Sequence, residues 1–495
     1  MILTCTAMKA LETRAFAEGV SPEALMEEAG AQVAAVVRQF FPTPGRCVVF
    51  FGKGHNGGDA LVAARQLARR GWKVELRPAF DPDVWSSLTV RKQREFTESQ
   101  SRVAVVPRQE NGGALVVLDG LLGIGAGGAL REPIRAAARE INRLRTEENA
   151  HVFALDLPTG LDGDSGAADA DCVVADFTAT VGFAKTGLLA DGATPFTGRL
   201  AVLPLAALSA RAGTDETATV ATARTLTARL PRRRFEMHKG ECGRVGIVAG
   251  SAGLTGAAVL CTEACMHAGA GLVTLYVTPE IYVLIAGRIA PEVMVKEVAS
   301  CLAVLEGRHD ALAVGPGLGN REAELLKLVQ RAPQPMVVDA DALNALARRT
   351  DLLARCAGPR LLTPHPGEMA RLDAASARRP RSETAREFAQ RFPVTLLLKG
   401  ARTVVAEAGR PLSYNSTGNP GMATGGMGDV LTGVCAALAG QGLGLYDAAR
   451  LGAWLCGRAA ELAVFEGGES EESLTARHVI AHLGGAFKNL RAGGW

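Results

Sequence analysis

Short apolar runs recur along this chain, each followed by a glycine-rich or polar loop and then by a segment of helical periodicity. Ser21-Pro22 marks a helix start, an N-cap with proline at the first helical position, and Leu25, Ala29, Val33, Val36, Val37 and Phe40 then trace one apolar face. Residues 47–51 read as a buried strand, 52–59 as a loop, 60–70 as a helix stopped by Gly71, and 73–77 as a second strand. Strand, loop, helix and strand make one right-handed βαβ unit with its loop at the carboxyl edge of a parallel sheet. The pattern repeats at 114–118, which ends in Asp119, and at 151–155, which ends in Asp156.

The second half has the same grammar. Apolar runs at 244–249, 272–277, 310–314, 336–338, 361–363 and 394–398 each deliver a polar loop. Between the halves lies 205–234, rich in Ala, Thr and Arg and ending in Pro231-Arg232-Arg233-Arg234, which reads as a solvated boundary segment. The expected fold class is therefore α/β, with two doubly wound domains at 1–214 and 220–495.

Composition narrows the function. A chain of 495 residues is too long for one core, and 48% hydrophobic with 21% charged residues describes an ordered globular protein. A net charge of +3 and 5% aromatics argue against nucleic acid or a membrane surface as the main partner. The ten cysteines stand singly without a C-x-x-C pair, as expected of reduced core residues in a cytoplasmic protein. The first nine residues lack the charged start and apolar run of a signal peptide. The charge-free stretches 245–262 and 430–446 are broken by Gly, Ser, Thr or Gln, so no membrane span is expected.

The candidate chemistry is organised around residues 415–429, a run of five glycines and three hydroxyl residues that ends in Asp429 and leads into an apolar helix. A glycine-rich loop opening a helix offers free N–H groups and the positive end of the helix dipole to a phosphate. Asp429 would stand beside that phosphate as a base, with Gly428 N–H on the phosphate; a flexible loop with a capping aspartate is the plainer alternative. Lys399, Gly400, Ala401, Arg402 and Thr403 form a strand-end loop that could hold nucleotide phosphates or be a simple turn. His365 could meet a second substrate, and Asp339 with Asp341 read equally as turn residues or metal chemistry. In the first half, Asn56, Asp119 and Thr159 would offer oxygen ligands to a hard cation, and Asp156 is the best-placed acid or base. Taken singly each acid could be a cap or turn residue; three at equivalent strand ends point to a site.

Both halves resemble a known family, the bifunctional NAD(P)H-hydrate repair enzymes of bacteria and archaea. The first half resembles their epimerase domain through 52–59, 119–128, 156–160 and a strand at 180–187; the second resembles their ribokinase-like dehydratase domain through His238-Lys239-Gly240, 315–319, 339–344, 363–368 and 418–429. His55, Ala60, Thr159 and Cys456 depart from the family pattern. The resemblance implies a Rossmann-like N-terminal domain that interconverts R- and S-NAD(P)HX, with K⁺ on Asn56, Asp119 and Thr159. His55, Asn56, Gly57, Gly58, Asp59, Gly123, Ile124, Gly125, Ala126, Gly127, Gly128, Ala129 and Asp156 would meet the hydrate there, His55 by position and with no chemical role. It implies a C-terminal domain that dehydrates S-NAD(P)HX at the expense of ADP with Mg²⁺, where Gly317, His365 and Asp429 meet the hydrate and Lys399–Thr403 with Gly428 meet the nucleotide. Its partners are then NADHX, NADPHX and ADP, and a homo-oligomer is the expected assembly. The competing expectation is a ribokinase-like small-molecule kinase carrying a non-catalytic binding module, of the kind found in mRNA-decapping scaffolds.

Overall fold

A computed structural model describes residues 1–100, 113–213 and 216–495. The chain divides into two compact units, Met1–Glu216 with Trp495, and Thr217–Gly494. Among the described residues no helix is long and apolar enough to cross a membrane. All ten cysteines are free.

The first unit is built on six parallel strands in the order Lys73–Pro78, Arg46–Phe51, Leu115–Gly120, His151–Leu155, Phe177–Val181, Arg199–Leu203. Their near-continuous apolar runs fit strands covered on both faces. The chain leaves Arg46–Phe51 toward one edge and returns through Leu115–Gly120 toward the other, so the sheet opens a crevice beyond these two carboxyl ends.

The helix expected at 60–70 begins instead at His55 and runs to Ala68, which places Asn56, Gly57, Gly58 and Asp59 on its first turns. Glycine disfavours a helix, but close packing overrides that preference here. A Cβ on Gly57 would run into the Gly52 carbonyl oxygen, and one on Gly58 into the Met26 side chain. Ala60 abuts Gly120, whose missing side chain leaves the space.

The strand expected at 180–187 is broken. Phe177–Val181 ends at Gly182, whose φ of +72° turns the chain, and Ala184–Lys185 then pairs in parallel with Ile2–Leu3. The N-terminal strand leads through the Thr4 cap, whose side chain accepts from Ala7 N–H, into the helix Cys5–Ala17. Lys185 and this helix are thereby tied together.

The second unit holds a ten-stranded sheet. Met294–Glu297, Leu272–Val277, Arg244–Val248, Ala311–Val314, Met336–Val338, Arg360–Leu362 and Thr395–Leu398 run parallel; Val404–Ala406 and Leu412–Asn415 follow antiparallel. The last strand, Ala218–Ala221, comes from the segment read as a solvated boundary. Four residues of Ala-Thr-Val-Ala are too short to signal a strand, yet pairing with Leu412–Asn415 satisfies their backbone. The core lies between this sheet and the helices Thr255–His267, Met427–Gly440, Leu445–Phe465 and Ala476–Ala492.

Candidate active sites

In the first unit the crevice is a cavity of about 550 Å³ lined by residues of three segments around the carboxyl ends of the sheet, by the helix Cys5–Ala17 and by Lys185. His55, Asn56, Asp59, Gly123, Ile124, Gly125, Ala126 and Asp156 all line it. Gly127, Gly128 and Ala129 border a second cavity, of about 750 Å³, which Gly123, Gly125 and Ala126 also line. Gly57 and Gly58 are buried in helix packing and line neither.

Asp156 has φ of +68°, in the left-handed region that a non-glycine residue seldom adopts. Its Oδ1 forms a very short ion pair with Lys185 Nζ and accepts Val181 N–H at 3.1 Å and the Thr180 hydroxyl at 3.5 Å. Lys185, 1% exposed, donates further to the Val181 carbonyl at 2.7 Å and to Thr180 Oγ1 at 3.2 Å. Burial, Asp156 and Glu12 push the Asp59 carboxyl well above its ordinary range. Burial and Asp156 likewise raise Glu12 to about 7 against the lowering effect of Lys185 and Lys9.

Below the cavity, Asp119 is fully buried. Its carboxylate accepts the Thr159 hydroxyl at 2.7 Å and the Thr159 N–H at 2.8 Å, and Leu121 N–H reaches it at 3.3 Å. Burial still lifts it to about 6, because among the described residues no lysine or arginine pairs with it. Asn56 donates its amide to the Leu122 and Leu155 carbonyls at 2.9 and 3.2 Å, leaving its Oδ1 buried without a hydrogen-bond partner. A buried oxygen without a partner and a buried carboxylate without a cation are each costly, and a hard monovalent cation could serve both.

In the second unit, Gly426 (φ +86°) turns the chain into the helix Met427–Gly440. The helix starts earlier than the apolar run suggests, so Gly428 and Asp429 lie in its first turn, where backbone N–H groups have no partner within the helix. Asp339, 2% exposed, is the hub: its carboxylate accepts Lys399 Nζ at 2.9 Å and the Thr432 hydroxyl at 2.8 Å. Lys399 also stands 3.7 Å from Glu368, and a Cβ on Gly428 would lie 3.3 Å from its Nζ. Burial works against the Lys399 charge, but Asp339 and Glu368 outweigh it and hold its pKa above the ordinary value. Burial and Asp339 raise Asp429 to about 6, with Lys399 pulling the other way.

Lys399, Gly400, Ala401, Arg402 and Thr403 form the tip of the hairpin between Thr395–Leu398 and Val404–Ala406. Thr403 donates its hydroxyl to the Gly400 carbonyl at 3.1 Å, and the Arg402 side chain is buried. His365 caps the helix Pro366–Leu372: its Nδ1 accepts N–H groups of Gly367 and Glu368, while Glu368 accepts the His365 N–H at 2.8 Å. Gly317 (φ +60°) packs against Leu254 and Ala257 and accepts the Ser251 hydroxyl at 2.8 Å.

Glu12, like Lys185, is a residue of the first unit's cavity that the sequence reading missed. Met8, Leu11 and Ala15 are the buried face of its helix, and a glutamate four residues after Met8 stands at the edge of that face. That one charged position on an otherwise apolar stripe is the signal available in the sequence.

Comparison with known proteins agrees with this division. Residues 22–187 match the family described as YjeF-related protein N-terminus, and residues 245–481 the NAD(P)H-hydrate dehydratase family. A bifunctional NAD(P)H-hydrate repair enzyme of Moorella thermoacetica is 37% identical, covering 99% of this chain and 97% of that protein. The enzyme of the same description from Escherichia coli is 36% identical over 90% of this chain and 86% of its own. A hypothetical protein from Streptococcus mutans, 23% identical, has the fold of the second unit: TM-score 0.50, covering 55% of this chain and all of the other. With two sites at two sheet edges and relatives matched over nearly the whole chain, this protein belongs to the family of bifunctional NAD(P)H-hydrate repair enzymes.

Proposed function

We propose that the chain repairs hydrated nicotinamide nucleotides. Its first unit interconverts R- and S-NADHX and the corresponding NADPH hydrates. Its second unit returns the S form to NADH or NADPH with ADP as phosphoryl donor. The observation that carries this reading is the presence of both families in one chain, each with a buried carboxylate–lysine pair at its sheet edge: Asp156 with Lys185, and Asp339 with Lys399.

In the second unit, hydroxide is a poor leaving group and phosphate a good one, so phosphorylation of the hydrate hydroxyl makes elimination easy. Asp429 takes the hydroxyl proton as oxygen attacks the phosphoryl group, and the Gly428 N–H at the helix start receives the developing charge. The hairpin tip from Lys399 to Thr403 is the place for the nucleotide, and Gly317 and His365 border the hydrate. Asp339 keeps Lys399 oriented, and Thr432 in turn orients Asp339. Among the described residues no group of three acidic, His or Cys side chains forms a cage for a metal, so Mg²⁺ would be held chiefly by the nucleotide phosphates and its own waters and would neutralise phosphate charge. In the first unit K⁺ would be held by Asn56 Oδ1, Asp119 and Thr159 and would compensate the buried carboxylate. The protein is then a cytoplasmic homo-oligomer, a state that light scattering on the purified chain would check.

The test is recovery of NADH absorbance from mixed R- and S-NADHX with ADP, ATP or neither, corrected for spontaneous epimerisation. Complete recovery with ADP supports both activities. Recovery that stops at the S fraction refutes the epimerase half, and no recovery with either nucleotide refutes the reading in favour of a small-molecule kinase.

A further inference from the structure

Lys185 has three protons and three acceptors: Asp156 Oδ1, Thr180 Oγ1 and the Val181 carbonyl. Asp156 Oδ1 also takes the Val181 N–H. The pair is a fixed unit, with Asp156 Oδ2 directed toward the Gly123 loop and left for a substrate hydroxyl. A carboxylate anchored in this way suits binding and orientation. The cavity nonetheless holds two more carboxyls, Glu12 and Asp59, and Lys185 is already committed. Glu12 enters from a different side, on the helix Cys5–Ala17, half-buried and without an ion pair or hydrogen bond of its own among the described residues.

We infer that Glu12 is the catalytic acid–base of the first unit and that Asp156, locked by Lys185, positions the hydrate; this rests on the epimerase reading. Water added next to the ring nitrogen makes the hydrate a carbinolamine. Glu12 gives its proton to the hydroxyl, the C–O bond breaks and its electron pair leaves on water. The ring nitrogen lone pair closes a C=N⁺ bond beside the Glu12 carboxylate. A water then adds to the opposite face, the C=N pair returns to nitrogen, and the surplus proton passes back to Glu12 through the water that left. No oxidant, reductant or other co-reactant is consumed.

The surroundings suit a group that both gives and takes a proton near neutrality. Around Glu12 stand Lys9 on its own helix, the exposed Lys53 and His55 at the cavity wall, and Asp59, Asp156 and Lys185. Burial and the negative charge of Asp156 hold Glu12 at about 7, and burial pushes the Asp59 carboxyl well above its ordinary range. A catalytic pKa near the working pH gives the most effective proton transfer.

The test compares wild type, Glu12→Gln and Glu12→Asp as full-length proteins, on pure R-NADHX and on S-NADHX with ADP, between pH 5 and 9. Glu12→Gln should lower kcat on R-NADHX by about 100-fold or more, the usual loss for a general acid–base. It should also erase the neutral-range inflection in the pH profile and leave S-NADHX recovery unchanged. Glu12→Asp should restore part of the rate together with the inflection. A Glu12→Gln protein within about threefold of wild type with its inflection intact overturns the assignment. Wild type that converts R-NADHX no faster than buffer overturns the epimerase reading itself, and the assignment with it.

Discussion

Replacing Asp429 by Asn removes the one carboxylate in the first turn of Met427–Gly440, where the proposed phosphoryl transfer takes place. General-base catalysis is worth about 100- to 10,000-fold, so kcat on S-NADHX with ADP should fall by that factor, about 2.7–5.4 kcal/mol at 1.36 kcal/mol per decade. KM should change little, because the amide keeps the shape of the carboxylate. The pH profile supplies the second half of the argument. With Asp429 titrating at about 6, most of it is ionised at pH 7 and above. Below pH 6 the ionised fraction, and the rate with it, should fall about tenfold per unit. Burial and Asp339 raise this group while Lys399 lowers it, so Lys399→Met removes the stabilising cation and should move the acid limb to higher pH. Initial rates of NADH appearance from S-NADHX between pH 5 and 9, with saturating ADP, measure all three quantities without involving the first unit. Asp429→Asn within about tenfold of wild type, or an acid limb that Lys399→Met leaves in place, would refute the role of Asp429 as base.

Three further outcomes are expected. Asp156→Asn removes a negative charge that raises Glu12, so the neutral inflection of R-NADHX conversion should move to lower pH as KM rises; an inflection that stays put would separate the two groups. Wild type should gain melting temperature in potassium chloride over tetramethylammonium chloride at equal ionic strength, and Asp119→Asn should lose that gain; equal gains in both proteins would rule out a potassium site at Asp119. A Cβ on Gly433 would run into the Cys261 carbonyl oxygen, so Gly433→Ala should destabilise the second unit by about 1–3 kcal/mol despite alanine's better helix propensity. Calorimetry of the full chain would read this as a lower transition for that unit, and an unchanged transition would mean that the two helices can separate without cost.

The strands that carry the sites were legible because a parallel strand buried on both faces leaves an unbroken apolar run, as in residues 151–155 and 336–338, and a polar residue directly after it. Helix starts were less so. At His55 the glycines that signal a loop are there to let other segments approach, Gly57 against Gly52 and Gly58 against Met26, whereas before Met427 Gly426 does bend the chain and only Gly428 lies inside the helix. Composition alone cannot tell a glycine that bends the chain from one that lets another segment in. Strands such as Ala218–Ala221 escaped for a simpler reason, since a short edge strand is specified by its partner and not by its own pattern.

The same distinction explains which chemistry could be read. Asp119, Asp156 and Asp429 stand at the ends of recognisable runs, so position betrays them. Their partners do not. Lys185 is 29 residues from Asp156 and reaches it only because Gly182 turns the chain and Ile2–Leu3 pairs with Ala184–Lys185. Lys399 is 60 residues from Asp339. Glu12 belongs to no motif at all and comes to the cavity because the same N-terminal strand fixes its helix there. Charge state depends on these long-range neighbours: an aspartate motif tells where a carboxyl is, and only the fold tells whether it is locked to a lysine, as Asp156 is, or free to trade a proton, as Glu12 is. Roles inferred from motif position alone therefore favour the anchored acid, and in the first unit the proposed acid–base is a different residue.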